Sequence, residues 1–185
     1  MQKRKILYRG KWLTFCETLW ETAEGKEKSW EFATRPTTAG AVCIFALKRG
    51  EPDLIILVKQ FRPPLAKSIL ELPAGLIEPG HSVEETALKE LREETGYLGH
   101  ILHTGPAVYN SPGLTDENVT AVTVEITGRT DQALEEDEMI EVVEVPLNDL
   151  RHHLESFHRD GLCIDAKLWY LATGLAFSAL NEPKH

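Results

Sequence analysis

The chain has 185 residues, of which 42% are hydrophobic and 26% charged, and its net charge at pH 7 is −9. These values are typical of a soluble domain with a full core, and the negative charge argues against nucleic acid or an anionic membrane surface as a partner. No apolar run approaches the roughly 20 residues that span a membrane, and no signal-type segment follows Met1. The three scattered cysteines indicate buried, reduced thiols. We therefore expect a cytoplasmic protein.

The first 38 residues predict a β-strand unit ahead of the main domain. Residues 6–20 are rich in aromatic and β-branched side chains, which is typical of a strand. A turn around Gly25 leads to a second predicted strand over residues 29–35, and residues 36–40 have the composition of a linker. We therefore expect an N-terminal antiparallel unit over residues 1–38 and a second domain over residues 39–185.

The second domain alternates strands, turns and helices. Its predicted strands cover residues 42–47, 54–60, 69–72, 99–108, 119–126 and 139–145. Its predicted helices begin after Ser82, at Leu147 and after Asp165, and loops cover residues 110–117 and 130–137. Because no regular βαβ alternation is present, the order predicts an α/β fold with a mixed sheet between helices.

One stretch of this domain, residues 75–97, combines turn signals, a capped helix and a glycine exit. Ser82 stands three residues before Glu85, which is a capping box, and Gly96 is the stop signal. The pattern predicts a helix of about 13 residues. Its apolar face contains Val83, Ala87, Leu88 and Leu91.

The opposite face of this helix is acidic. Glu90, Glu93 and Glu94 are spaced i, i+3, i+4, so we expect their carboxylates to converge within one turn. A hard cation relieves the repulsion between like charges, and Mg²⁺ favours carboxylate oxygens together with the phosphates of a substrate. The alternative is a solvated acidic helix face with no ligand.

Three further side chains could bind a nucleotide. Arg62 follows a predicted strand just before the helix, and its guanidinium suits a bidentate grip on a diphosphate. Trp12 and Trp30 lie on the N-terminal unit, where indoles serve either as core or interface packing or as stacking surfaces for a base.

The stretch over residues 75–97 resembles the Nudix box, a loop–helix–loop that binds divalent metal and hydrolyses nucleoside diphosphates linked to another group. The match is carried by Gly75, Glu90, Leu91, Glu93, Glu94, Gly96 and Tyr97. Two positions depart from the family: His81 stands where the family has a glutamate, and Lys89 where it has an arginine. In the family, that glutamate and arginine brace the loop against the helix. The resemblance implies an α/β/α sandwich with a mixed β-sheet. It also implies Mg²⁺ or Mn²⁺ held by the Ala74 carbonyl, Glu90, Glu93 and Glu94.

Other positions resemble the ADP-sugar pyrophosphatase branch of Nudix hydrolases. They are Trp30, Glu31, Arg35, Arg62, the Ala74-Gly75-Leu76 start of the box, and the run from Ser111 to Thr115. In that branch arginines such as Arg35 and Arg62 hold the phosphates, and Glu31 contacts the exocyclic edge of the adenine. The resemblance also implies that Leu76 and Ser111 contact the substrate. The resemblance further implies a homodimer with exchanged N-terminal strands, in which Trp12 and Trp30 from two subunits sandwich each adenine.

The resemblance also implies a catalytic glutamate on the acidic loop over residues 135–138. Glu138 aligns best with the family's glutamate that positions the attacking water, and Glu136 is the fallback. Together with Glu93 and Glu94, this residue would support hydrolysis of ADP-ribose, or a related ADP-sugar, to AMP and a sugar phosphate.

Two alternative functions stay open. One is hydrolysis of another nucleoside diphosphate derivative, such as a UDP-sugar, GDP-mannose or an oxidised nucleotide. The other is a non-catalytic nucleotide-sensing module, for which the departures at His81 and Lys89 are the only support.

Overall fold

The computed structural model describes residues 4–136 and 138–180, and its strands form two sheets. The first sheet consists of β1 (Arg4–Arg9), β2 (Thr14–Glu21) and β3 (Glu27–Thr34), with both neighbouring pairs antiparallel. The N-terminal antiparallel unit is therefore confirmed, but the single strand expected over residues 6–20 is wrong. The chain turns there, where the Gly10 N–H donates to the Leu13 carbonyl at 2.8 Å.

The second sheet has eight strands and is mixed. Its strands are β4 (Ala41–Lys48), β5 (Leu54–Arg62), β6 (Lys67–Glu71), β7 (Ala74–Leu76), β8 (Tyr97–Tyr109), β9 (Asn118–Arg129), β10 (Ile140–Pro146) and β11 (Cys163–Ile164). The main order is β11-β6-β5-β4-β9-β8, while β10 pairs with β5 and β7 with β4. Because β4 is parallel to β9 and antiparallel to β5, the predicted mixed sheet is confirmed.

Three helices cover this sheet: α1 (Val83–Thr95), α2 (Leu150–Arg159) and α3 (Ala166–Leu180). The capping box of α1 is formed, since Ser82 Oγ accepts from the Glu85 N–H at 3.1 Å and the Glu85 carboxylate accepts from the Ser82 N–H at 2.9 Å. Helix α2 begins at Leu150 rather than at the predicted Leu147, because residues 147–149 form a 3₁₀ turn. Asp165 caps α3, and its Oδ1 accepts from the Lys167 N–H at 2.8 Å.

The core lies on both faces of the second sheet. Alternating side chains of β4 and β5 divide between the faces, as the pleat requires. The cluster under α1 contains Val42, Ile44, Ala46, Ile56, Ala87 and Leu91. The cluster under α2 and α3 contains Cys43, Ile55, Leu57, Leu154, Leu168 and Ala172. The α/β/α sandwich is therefore confirmed, although Leu88, expected on the apolar face of α1, is exposed.

The loop after β8 joins the two sheets. The Ala33 N–H donates to the Leu114 carbonyl at 2.9 Å, and Arg4 forms an ion pair with Asp116 at 2.7 Å. The predicted division at residue 38 falls between β3 and β4 and stays a prediction, while residues 1–3, 137 and 181–185 lie outside the described part. In that described part, no helix has the length and apolar character needed to cross a membrane.

Candidate active site

Two glutamates of α1 have carboxyl groups sheltered from solvent. Glu94 is only 5% exposed, and its Oε2 accepts from the Ala74 N–H at 3.1 Å. Burial raises the pKa of Glu94 to about 8 and that of the half-buried Glu90 to about 7. Burial disfavours the charged form of both carboxyl groups, and a positive charge nearby would stabilise that form.

The backbone of β7 lies directly against this pair. A Cβ atom placed on Gly75 would overlap the carboxyl group of Glu90. Gly75 therefore lets β7 approach α1 closely. The hydrogen bond between Glu94 and the Ala74 N–H joins the same strand to the same helix, at what we call the Ala74–Gly75 junction. This places backbone groups of the strand beside two carboxyl groups of the helix.

Glu93, the remaining glutamate of the acidic face, contacts cations of its own helix. Glu93 Oε2 lies 3.4 Å from Lys89 Nζ, and Glu93 Oε1 lies 3.4 Å from Arg92 Nη2. Over residues 4–136 and 138–180, no three carboxylate, imidazole or thiolate side chains are arranged as a metal-binding group. The expected convergence of all three glutamates therefore stays a prediction.

The residues nevertheless fit a divalent cation in their chemistry. Carboxylates and a backbone carbonyl are the oxygen donors that hard cations prefer. The half-buried Glu90 and the buried Glu94 have raised pKa values, which a bound cation would lower again. Glu93 would have to leave Lys89 and Arg92, and such exposed ion pairs contribute only about 0–1 kcal/mol. Ala74 with Glu90, Glu93 and Glu94 can thus serve as the donor set.

Two residues from other elements approach the same carboxyl groups. Besides burial, the charge of Glu138 contributes to the raised pKa of both Glu90 and Glu94, while the Arg62 guanidinium opposes the shift at Glu94. Glu138 is half-buried, and its Oε2 accepts from the Glu135 N–H at 3.1 Å. Arg62 ends β5 and donates through Nε to Glu71 at 2.8 Å. The structure therefore brings Arg62, Glu90, Glu94 and Glu138 within electrostatic range.

The two departures from the family pattern lie on the exposed side of this region. His81 Nδ1 is 3.9 Å from Glu78 Oε2, and Lys89 faces Glu93. Neither contact joins the loop before α1 to the carboxyl group of Glu94. The charge of Lys89 does act on Glu90, where it opposes the rise in pKa that burial causes.

The two tryptophans expected to stack on a base lie on the N-terminal sheet. Trp12 is 66% exposed in the β1–β2 turn, and Lys11 Nζ lies 4.6 Å from its ring centroid. Trp30 is 49% exposed on β3, donates to the Gly113 carbonyl at 3.1 Å, and lines a cleft of about 340 Å³ together with Phe32 and Tyr109. Among the described residues, no ring contact joins Trp12 to Trp30 within one chain.

The remaining predicted binding residues are dispersed. Glu31 is exposed on β3, and Leu76 is exposed on β7. Arg35 donates through Nε to Glu117 at 2.9 Å, beside a polar cleft of about 160 Å³. Ser111 is exposed, and its carbonyl accepts from the Leu114 N–H at 2.8 Å. Their roles in substrate binding stay predictions.

One contact of the site was not expected from the sequence. The side-chain Nε2 of Gln132 donates to the Glu94 carbonyl at 2.5 Å. Glutamine in a polar loop carries no local signal, and its partner is 38 residues away in the chain. Only the folded structure brings this loop to the end of α1.

Comparisons with known proteins identify the family of this chain. The sequence profile of the NUDIX domain matches residues 35–163. The ADP-ribose pyrophosphatase of Saccharomyces cerevisiae is 36% identical over 89% of this chain and 77% of its own length. The ADP-sugar pyrophosphatase of Mus musculus is 38% identical over 96% of this chain and 87% of its own length.

A solved structure described as an ADP compounds hydrolase has the same fold. Its TM-score is 0.70, and the alignment covers 96% of this chain and 91% of that one at 20% identity, a likeness that bears on the fold alone. The matched domain spans both the Ala74–Gly75 junction and α1, where the acidic site lies. With two relatives above 35% identity over most of its length, the chain belongs to the Nudix family.

Proposed function

We propose that this Nudix protein hydrolyses the diphosphate bond of ADP-ribose, or of a related ADP-sugar, to AMP and a sugar phosphate. The observation that carries the proposal is that Glu90 and Glu94 lie against the Ala74–Gly75 backbone, within electrostatic range of Glu138 and, for Glu94, of Arg62. The names of the yeast and mouse relatives, an ADP-ribose pyrophosphatase and an ADP-sugar pyrophosphatase, support the choice of substrate.

Mg²⁺ is the proposed cofactor, with Mn²⁺ as its substitute. The Ala74 carbonyl, Glu90, Glu93 and Glu94 would hold it. When bound, such a cation supplies positive charge to the diphosphate oxygens as the P–O bond breaks. Burial of Glu94 beside Ala74 fixes the direction in which the carboxyl group points, since its Oε2 is already held at 3.1 Å by the strand.

Two arginines are proposed to hold the phosphates. Arg35 and Arg62 each use Nε to bind one carboxylate, at Glu117 and Glu71 respectively. Because a guanidinium has five N–H donors, these contacts orient the side chain and leave other donors for a diphosphate. Arg62 is the better supported of the two, since its charge already acts on Glu94.

Glu138 is proposed as the residue that positions the attacking water and accepts its proton. Its carboxylate lies on a loop and influences Glu90 and Glu94, so it can face a phosphorus atom held at that site. The contact with the Glu135 N–H engages only Oε2 and leaves the other oxygen for water. A general base must come within hydrogen-bond reach of the proton that it accepts.

The adenine is proposed to stack between tryptophans of two copies of the chain. Large apolar side chains are exposed on β1, β2 and the turn between them, at Ile6, Leu7, Tyr8, Trp12, Leu13, Phe15, Leu19 and Trp20. Such a patch is unusual on a monomer and suits an interface. We propose that the unit over residues 1–38 forms a homodimer with exchanged strands, in which Trp12 of one copy faces Trp30 of the other.

AMP release from ADP-ribose tests the proposed reaction. We expect release that requires Mg²⁺ or Mn²⁺ and stops on chelation. A panel of ADP-ribose, UDP-glucose, GDP-mannose and an oxidised nucleoside diphosphate, with detection of both products, identifies the substrate class. Faster turnover of a non-adenine compound would overturn the ADP-sugar assignment. Tight nucleotide binding without turnover of any compound would instead favour a nucleotide sensor.

A further inference from the structure

The last turn of α1 is capped by a segment remote in sequence, residues 130–133, which we call the capping segment. A helix leaves its last four carbonyls without partners inside the helix. The Thr130 N–H donates to the Gly96 carbonyl at 2.7 Å and the Ala133 N–H to the Glu93 carbonyl at 3.0 Å. The Gln132 side chain donates to the Glu94 carbonyl at 2.5 Å. The backbone carbonyls of Glu93 and Glu94 are therefore bound by this segment.

Gly96 makes this close approach sterically feasible. Its φ of 72° is left-handed, a conformation that favours glycine, and the residue ends α1. A Cβ at this position would overlap the Thr130 carbonyl oxygen. The end of the helix and the capping segment are therefore in direct backbone contact.

The same segment leads into the loop that carries Glu138. Gln132 Nε2 also lies 3.4 Å from the carbonyl of Ile140, the first residue of β10. The chain between them turns back on itself, because the Glu138 N–H donates to the Glu135 carbonyl at 3.1 Å. Gln132 thus contacts α1 on one side and the strand that follows Glu138 on the other.

We infer that Gln132 is a positioning residue that sets Glu138 against the carboxyl groups of α1. This inference rests on the proposed function of Glu138. Among the hydrogen bonds between the capping segment and α1 in the described part of the chain, only that of Gln132 uses a side chain, so it can be removed without altering the backbone. Its amide fixes how far the loop stands from Glu94, and therefore where the Glu138 carboxylate meets the substrate.

A matched pair of neutral substitutions tests the contact. Gln132→Met keeps the length of the side chain and removes the donor, while Thr130→Val in the same segment changes a hydroxyl that donates no hydrogen bond among the described residues. Misplacing a reacting group lowers turnover more than binding, so we expect Gln132→Met to lower kcat by roughly tenfold and to change KM by less than about twofold. Thr130→Val should leave both values unchanged.

Hydrogen exchange gives a readout that does not depend on activity. The amides of residues 133–136 and of Glu138 should exchange faster in Gln132→Met, with those of β4 and β9 unaffected, because the loop opens locally. Gln132→Lys retains a donor for the Glu94 carbonyl. Unlike Gln132→Met, it should keep both kcat and the protection of these amides from exchange near the parental values. Gln132→Glu cannot donate and places a negative charge at the helix C-terminus, so we expect it to be more damaging than Gln132→Met.

Coupling to Glu138 separates positioning from a general stabilising effect. In a Glu138→Gln background, Gln132→Met should lower single-turnover rates much less than in the parental protein, because the two effects are not additive. An equal loss in both backgrounds would overturn the inference, as would unchanged exchange with unchanged kcat. If the parental protein releases no AMP, the proposed function fails, but faster exchange confined to residues 133–136 and Glu138 in Gln132→Met would still support the contact.

Discussion

The carboxyl group of Glu90 lies against Gly75 so closely that any side chain at position 75 would overlap it. The position of the Glu90 carboxyl group therefore requires a residue without a side chain at position 75 of β7. Together with the Ala74–Glu94 hydrogen bond, this contact sets the distance between strand and helix at the candidate site.

Gly75→Ala is expected to displace Glu90 and to impair catalysis more than stability. A shift of about 1 Å in a catalytic group lowers rates by roughly a hundredfold, so we expect a loss of kcat of that order. Mn²⁺ affinity measured by titration calorimetry should fall as well. Gly174→Ala on α3 is the control, because a Cβ there meets no atom of the described residues within 4 Å apart from the backbone of its own helix. Parental activity in Gly75→Ala would mean that Glu90 is not part of the metal site.

Glu94→Gln should abolish turnover while leaving the fold and nucleotide binding intact. The amide oxygen of glutamine can still accept from the Ala74 N–H, so the backbone junction is retained. A neutral side chain also avoids the desolvation that raises the pKa of Glu94. We expect an unchanged or slightly higher melting temperature and an unchanged Kd for AMP.

Glu84→Gln on the same helix is the control for that substitution. Glu84 is exposed and accepts from the Thr104 hydroxyl at 2.9 Å, a contact that a glutamine can keep. Near-parental turnover in Glu94→Gln would remove Glu94 from the metal assignment.

Trp12→Ala and Trp30→Ala should each raise KM for ADP-ribose with little effect on kcat. Base stacking on an aromatic ring contributes about 1–3 kcal/mol, so we expect an increase of roughly tenfold in each variant. Tyr170→Ala is the control, because Tyr170 is 71% exposed on α3 and as accessible as Trp12. Unchanged KM in both tryptophan variants would contradict the stacking proposal.

Mixing the two tryptophan variants tests whether each adenine site uses two copies of the chain. A dimer with one Trp12→Ala and one Trp30→Ala subunit would contain one site with both indoles and one with neither. We expect co-refolded mixtures to regain activity at low substrate concentration. Failure to regain activity, with dimers present by analytical ultracentrifugation, would place both tryptophans of a site in one chain.

Ser82→Ala should lower stability without altering the chemistry. The substitution removes the side-chain acceptor of the Glu85 N–H, and loss of an N-cap typically costs about 0.5–2 kcal/mol. For a domain of this size, the melting temperature should fall by roughly 2–4 °C per kcal/mol. Ser178→Ala, at an exposed position of α3, serves as the control and should not lower it. A melting temperature equal to that of the parent would show that the cap contributes little.

Local signals predicted the elements around the site with good accuracy. The capping box and Gly96 set both ends of α1 as the sequence indicates, because caps depend on residues only a few positions apart. The break at residues 10–13 was missed, since Gly10 with Lys11 is a weak turn signal inside an aromatic-rich run.

Local sequence signals could not predict contacts between residues that are far apart in the chain. The acidic spacing on α1 predicts three convergent carboxylates, and this stays a prediction. The spacing gave no sign that Glu93 contacts Lys89 and Arg92 on the helix surface. The contact of Gln132 with Glu94 depends on the register of β8 with β9, which no short motif encodes. The family resemblance, rather than periodicity, carried the prediction for Glu138.

The parallel pairing of β4 with β9 joins Ala41 to Val119, so the central strand of the sheet is synthesised long before one of its partners. Until β9 leaves the ribosome, the apolar strand Ala41–Lys48 has one unpaired edge. A strand of a neighbouring nascent chain can form hydrogen bonds with that edge. Yield of native protein should therefore depend on translation speed and concentration, with aggregation as the competing outcome.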